Sequence, residues 1–454
     1  MDGNNVVFQE ISSLKNEPSL KNNIFSKKSA FKINKEECSR AKSHIQIGNI
    51  AEISSGSAKG RLKTRNISRK LIVERIDQQI FRSAKQSFVT RRVEQDSMST
   101  LIKGPIRPRT GDLALAQVER IHFQRRLELT NGRKATLEPG DKIIVAYGDR
   151  YATDQFEAEI PLDLGTTNLV ATGGIASCML SRNGGIRPAS IICPLGLIGD
   201  SDGVPLNLSR FAASAPPLPD RRPIVIAVLG TSMNSGKTTI NYSMVNGLRR
   251  AGHRPGVAKI TGTGSGGDYW LMVDAGAHAV VDFTDAGYAA TYKLSIPQIE
   301  YILQNLIAQL IGRGANIILI EIADGIFQEQ NVELIRSPLF AQLVDKVIFA
   351  AGEAMGALMG IHTLQEAAAP LIGVSGKMTA SELAIRECRA ASTTPVYTRA
   401  ELSDPASVCK IIGIPLEGDL PLVDVAPLPS HCPTILSDIA ARSVKKSIVK
   451  GKAT

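Results

Sequence analysis

The sequence predicts an α/β protein: a doubly wound, mainly parallel sheet in its C-terminal half, preceded by a smaller β-rich domain and a flexible, basic N-terminal arm. Three observations carry this. After Pro223, apolar runs without polar alternation (IVIAVL, VAKI, AVVDF, NIILIE, KVIFA, PLIGVS) take turns with helical patterns. Strands of that kind are buried on both faces and need helices above and below them. Between Gly111 and Ala212 the pattern has period two and is broken by glycine turns, as in half-buried antiparallel strands. Residues 1–100 hold 19 Lys/Arg against 10 Asp/Glu and few patterned apolar residues, the mark of a solvated segment.

The 454 residues are 43% hydrophobic and 21% charged, an ordinary globular composition that excludes a collagenous, coiled-coil or wholly disordered chain. The expected division is a largely disordered arm over 1–105, a β-rich domain over 106–215, an α/β domain over 223–425 and a basic tail over 441–454. The net charge of +10 belongs to the ends, because the arm and the tail carry more than all of it and residues 101–440 are slightly acidic. The basic balance therefore says nothing about the central machinery. Nucleic-acid contact through the arm is the less favoured alternative to a solvated extension.

Within the arm, LIVERIDQQIFRSAKQSF is a helical candidate with Leu71, Ile72, Ile76, Ile80 and Phe81 on one face. In the β-rich segment, Asn131-Gly132 between RLELT and RKATL predicts a hairpin with a type I′ turn. The stretch from Tyr147 to Glu157, with Gly148, Asp149, Arg150, Tyr151, Asp154, Gln155 and Phe156, mixes aromatic and charged residues just past a strand. Its plain reading is a solvated loop; the sharper one is recognition of a small ligand or a neighbouring domain. FAASAPPLPDRRP reads as the linker into the α/β domain. The six cysteines are scattered, without CxxC pairs or zinc-finger spacing, which predicts reduced intracellular thiols. No apolar run reaches about 18 residues; Arg313 interrupts the longest candidate and no apolar leader opens the chain. A cytoplasmic protein without membrane contact is expected.

The chemistry is concentrated in Gly230-Thr231-Ser232-Met233-Asn234-Ser235-Gly236-Lys237-Thr238-Thr239, between a strand and a helix. Glycines there let backbone N–H groups turn onto phosphates, and the helix N-terminus adds positive potential. Lys237 reaches the outer phosphate oxygens and the Thr238 hydroxyl ligates Mg2+. Gly230, Thr231, Asn234, Ser235, Gly236, Lys237, Thr238 and Thr239 are thus the expected nucleotide-binding residues.

Five residues separate Gly230 from Gly236, one more than the common spacing, and this GTxxxxGKT resembles the loop of dethiobiotin synthetase and its relatives among P-loop NTPases. The similarity continues through Gly252-His253-Arg254, Lys259 in VAKITGTGSGGD, Asp268, and Glu321 in NIILIEIADG. It implies Thr238, Asp268 and Glu321 around Mg2+, with Lys237 and Lys259 as the catalytic positive clamp on ATP. Asp274, Asp282, Asp285 and Asp324 compete for the acidic roles. The loop is also similar to that of the D-glutamate N-acetyltransferase-like family, from which the β-rich segment departs, since that family has a Rossmann-type N-terminal domain. Tyr269 and Trp270 read as core or lid residues before base-stacking ones. The expected function is an ATP- and Mg2+-dependent, ligase-like activation of a small carboxylate-bearing substrate by phosphoryl transfer, and a homodimer is the expected assembly. An N-acyltransferase with acyl-CoA at the loop, and a nucleotide-dependent binding or switch module, are the alternatives; against a guanine-specific switch, the chain has no NKxD tetrapeptide.

Overall fold

The six apolar runs are the strands of one parallel sheet in the computed structural model, which describes residues 70–425. Their order is Ala279–Asp282, Pro255–Lys259, Ile317–Glu321, Val225–Gly230, Lys346–Ala350 and Leu371–Ser375, every adjacent pair parallel. Alternate residues of the central strand enter different cores. Val225, Ala227 and Leu229 pack with Ile299, Ile302, Leu303 and Leu306 of the helix Ile296–Gly312. Ile226 and Val228 pack with Ile240, Met244 and Leu248 of the helix Lys237–Arg250. Helices thus cover both faces, which is why these strands carry no polar alternation.

The parallel sheet accounts for only part of the fold. A larger, ten-stranded sheet is mixed: mostly antiparallel, but with Ile175–Arg182 and Lys85–Gln86 both parallel to Lys142–Tyr147. Five of its strands pair in a closed circuit. Ser190–Gly199 pairs with Leu113–Arg120, which pairs with Lys142–Tyr147, then Ile175–Arg182, then Thr167–Ala171, which returns to Ser190–Gly199. Such closure removes free edges and makes a small barrel.

Three local expectations are corrected. Residues 72–103, assigned to the arm, are built into this sheet: Ile72–Arg75 pairs with Thr100–Lys103, which pairs with Ser190–Gly199. Phe81, Phe88, Val89, Met98 and Leu101 are buried in the barrel core. The helical candidate splits, with Ile72–Arg75 a strand and only Gln78–Ser83 helical, capped by the Asp77 carboxylate. Leu71 and Ile72 stay about half exposed while Phe81 is buried, so the single helical face expected for Leu71, Ile72, Ile76, Ile80 and Phe81 does not exist. The Asn131-Gly132 hairpin forms, but Leu129 N–H bonds the Arg133 carbonyl and only Gly132 has positive φ. That is a three-residue loop instead of a type I′ turn. Residues 1–69 of the expected arm and the tail 441–454 lie outside the described residues.

The linker is anchored at its end. The buried Arg222 donates to both oxygens of Asp345, at 2.6 and 3.1 Å, and Arg221–Arg222 pairs with Val423–Asp424. Among the described residues no helix is long and apolar enough to cross a membrane.

Candidate nucleotide-binding cleft

The site begins where the central strand Val225–Gly230 runs out. The chain turns through Thr231–Ser235, with Asn234 at φ 64°, and enters the helix Lys237–Arg250 through Gly236 at φ 108°. Gly236 is required twice over. A side chain would be strained at that φ, and a Cβ would lie 3.0 Å from both Gly376 Cα and Lys377 N. Hydrogen bonds fix the loop from neighbouring strand ends: Thr231 N–H to the Ala350 carbonyl (2.9 Å) and Lys377 N–H to the Ser235 carbonyl (2.9 Å).

Lys237 is buried and donates to the carbonyls of Ser232 and Asp324, each at 2.8 Å. Burial pulls its pKa below the ordinary lysine value, with Glu321 and Asp324 opposing. The other cation, Lys259, stands at the end of its strand in register with Glu321 on the next. Its ammonium is hydrogen-bonded to Asp268 and lies 3.7 Å from Glu321 Oε1. Burial works against that charge, but Asp268 and Glu321 outweigh it and raise the Lys259 pKa. Lys259, in turn, holds Asp268 below its ordinary value against burial, and Thr238 Oγ1 lies 3.3 Å from Asp268 Oδ1. Glu321 is deeply buried, accepts from Asn241 Nδ2 at 3.4 Å, and is pushed upward by burial and by Asp268.

These groups border a cleft of about 500 Å³. Of the residues expected there, Asn234, Gly236, Lys237, Thr238, Thr239, Lys259, Asp268 and Glu321 line it. Gly230, Thr231 and Ser235 instead shape the loop from behind, and Ser235 Oγ is buried without a hydrogen-bond partner. Among the competing acids, Asp282 and Asp285 are occupied by Arg91, at 3.2 and 2.8 Å, away from the cleft. Asp324 lines the cleft, its pKa raised by burial. A hydroxyl and two carboxylates suit a hard cation that keeps several waters. No cluster of three or more His, Cys, Asp or Glu side chains able to hold a metal occurs among the described residues.

Neither Tyr269 nor Trp270 borders the cleft. Tyr269 meets Phe88 edge-on, and the Trp270 indole packs so closely on the hairpin that a Cβ at Gly132 would lie 2.5 Å from it. The opposite wall of the cleft comes from the barrel: Phe123, Gln124, Arg150, Tyr151, Gln155 and Thr172. The segment from Tyr147 to Glu157 is therefore no solvated loop. Tyr147 and Arg150 are buried, and Arg150–Tyr151 pairs with Phe156–Glu159. Phe123, Gln124 and Thr172 had no local signal, since each reaches the cleft only through barrel closure. A second cavity of about 420 Å³ lies beside the loop, bordered by Asn234, Thr239, Ile240, Ser375, Lys377, Thr379 and Arg399.

A parallel sheet whose central strand passes through a glycine-bearing loop into a lysine-led helix has the layout of a phosphate-binding loop. No family model matches the chain, and no curated protein matches it. Solved structures that match part of the chain include the signal recognition particle receptor FtsY from Elizabethkingia anophelis, at 14% identity over 34% of this chain and 50% of that one, TM-score 0.26. FtsY from Thermotoga maritima is 15% identical over 45% and 71%, TM-score 0.30. A nucleotide-binding protein from Archaeoglobus fulgidus in complex with ADP is 12% identical over 45% and 94%, TM-score 0.29. This chain thus spans half the length of the first of these.

Proposed function

We propose that the protein binds ATP and Mg2+ at residues 230–239 and transfers the outer phosphoryl group to a small, carboxylate-bearing substrate, in the manner of dethiobiotin synthetase-like enzymes. The observation that carries this reading is the convergence of Lys237, Lys259, Thr238, Asp268 and Glu321 on one cleft beside the loop. Phosphoryl transfer asks a protein mainly for positioning and charge neutralisation. Lys237 would exchange its two carbonyl partners for phosphate oxygens, and Lys259, held by Asp268, would face the transferring group. The 420 Å³ cavity on the other side of Gly236 offers room for base and ribose. Thr238, Asp268 and Glu321 would hold Mg2+, which when bound neutralises developing phosphate charge.

The test is calorimetric titration of ATP and ADP with and without Mg2+, followed by ADP release in the presence of a panel of amino acids and dicarboxylates. Lys237→Ala should lower nucleotide affinity or turnover by about 10²- to 10³-fold, as for loss of one preorganised charge donor. Undiminished binding by the variant would overturn the assignment. A nucleotide-dependent switch has one observation in its favour: Asn234 of the loop donates to the Asp154 carboxylate of the barrel, so nucleotide contacts would be felt there. ADP release that no carboxylate stimulates, with hydrogen exchange in residues 148–160 differing between ATP and ADP, would select that reading.

A further inference from the structure

Among the described residues that line the cleft Arg150 is the one guanidinium, and its surroundings are unusual for so strong a cation. It is 5% exposed. Nη2 donates to the Gln155 side-chain carbonyl at 2.8 Å, while Nε and Nη1 are buried without a hydrogen-bond partner. The other cations of the cleft are satisfied differently. Lys259 is bonded to a carboxylate and Lys237 to two carbonyls. Arg150 holds only a neutral amide, and burial lowers its pKa to about 10, with Asp324 opposing.

A buried guanidinium with unused N–H groups is costly unless an anion completes it. Its planar fork is suited to two oxygens at once. Arg150 pairs with Ala158 across a short ribbon whose second strand, Phe156–Glu159, also pairs with Ile175–Arg182 of the barrel, and its Cζ lies 5.6 Å from the centre of the Phe156 ring. The neighbouring Asp154 is tied to Asn234 of the nucleotide-binding loop, so this ribbon is held against the phosphate side of the cleft.

We propose that Arg150 is the barrel's anion receptor in this cleft, binding a terminal oxyanion of the bound ligands: the outer phosphoryl group of the nucleotide or the carboxylate of the second substrate. This rests on the nucleotide reading above and adds the barrel to the reaction site. It makes the β-rich half a contributor of a binding group instead of an appendage.

The experiment measures affinities of the full chain and of Arg150→Ala and Arg150→Lys for ADP, for a non-hydrolysable ATP analogue, and for succinate added to the ADP- and Mg2+-loaded protein. One charge-assisted contact corresponds to about 10- to 100-fold in affinity. Loss of that size for the ATP analogue, with ADP unchanged, identifies the outer phosphoryl group. Loss for succinate, with both nucleotides unchanged, identifies the carboxylate. Arg150→Lys, which keeps the charge without the fork, should recover part of either loss. The inference is overturned if all three affinities stay within twofold, or if all fall together with the melting temperature, as a structural role would require. A wild-type chain that binds neither nucleotide defeats the nucleotide reading instead; a wild-type chain that binds them while both variants match it defeats only the role of Arg150.

Discussion

The Glu128 carboxylate accepts a hydrogen bond from the backbone N–H of Gly266 at 2.6 Å, from a position 138 residues earlier in the chain. Gly266 opens the helix Gly266–Asp274, whose own N-cap residue, Ser265, makes no side-chain capping bond. The barrel hairpin supplies the missing acceptor, and Ser265 Oγ donates to the same oxygen at 3.1 Å. An anion at a helix N-terminus is favoured by the orphan N–H groups and the dipole. The helix carries Asp268 in its first turn, so the barrel sets the position of an acid that holds Lys259.

Glu128→Ala should therefore cost stability and function together. Loss of a cap is worth about 0.5–2 kcal/mol. Urea unfolding should show a decrease of that order, and Mg2+-dependent nucleotide binding should weaken although Glu128 does not border the cleft. Unchanged nucleotide affinity in the destabilised variant would show that Asp268 is placed without help from the barrel.

A second link joins the segment before the barrel to the parallel sheet. Arg91 donates to Asp282 and Asp285 and stacks over Phe88, its guanidinium carbon 4.2 Å from the ring centre. Both aspartates are buried. Arg91→Ala would leave Asp282 without its cation and Asp285 with only Arg92, at 3.5 Å, and a buried pair that loses one partner costs about 3–5 kcal/mol. A chemical denaturation midpoint that hardly moves would contradict this.

Much of the parallel sheet was legible because its strands are buried on both faces, which writes a continuous apolar run into the sequence. The loop 230–239 was legible because its chemistry is local: glycines, lysine and hydroxyl must be adjacent. Asp268 and Glu321 are dispersed, and only resemblance pointed to them. The segment 72–103 was misread because its strands are two to four residues long, too short for a period, and owe their place to distant partners. Thr100, for example, donates to the Asp200 carbonyl, 100 residues on. Arg150 lay in a stretch read first as a solvated loop and second as a recognition element, since no local pattern tells that an arginine will be buried by packing against distant strands.

That misreading gives a further expectation. A chain shortened to begin at residue 105 would lose Phe81, Phe88, Val89, Met98 and Leu101 from the barrel core. Large apolar side chains removed from a packed core cost about 3–5 kcal/mol each for aromatic residues. The shortened protein should be insoluble or lack cooperative thermal unfolding. A soluble, cooperatively folding product would mean that these residues only decorate the barrel.

The last expectation concerns alkaline pH. Tyr147 ends a barrel strand fully buried, with its hydroxyl lacking a hydrogen-bond partner. Burial, aided by Asp163 and Asp112, pushes its pKa well above the ordinary 10.0. The folded state therefore holds the phenolic proton more tightly than the unfolded one. Stability from this group is complete below about pH 10, the unfolded value, and is lost as pH rises toward the folded value, because there the unfolded chain has released a proton that the folded chain keeps. Tyr147→Phe removes both the orphan hydroxyl and the titration. At neutral pH the variant should be as stable as the parent or more so, by about 1 kcal/mol, since no hydrogen bond is broken and an unsatisfied buried donor disappears. Above pH 10 its denaturation midpoint should fall less steeply than that of the parent. Parallel pH profiles for the two proteins would place the Tyr147 hydroxyl in contact with water or a partner in solution and refute its isolation in the core.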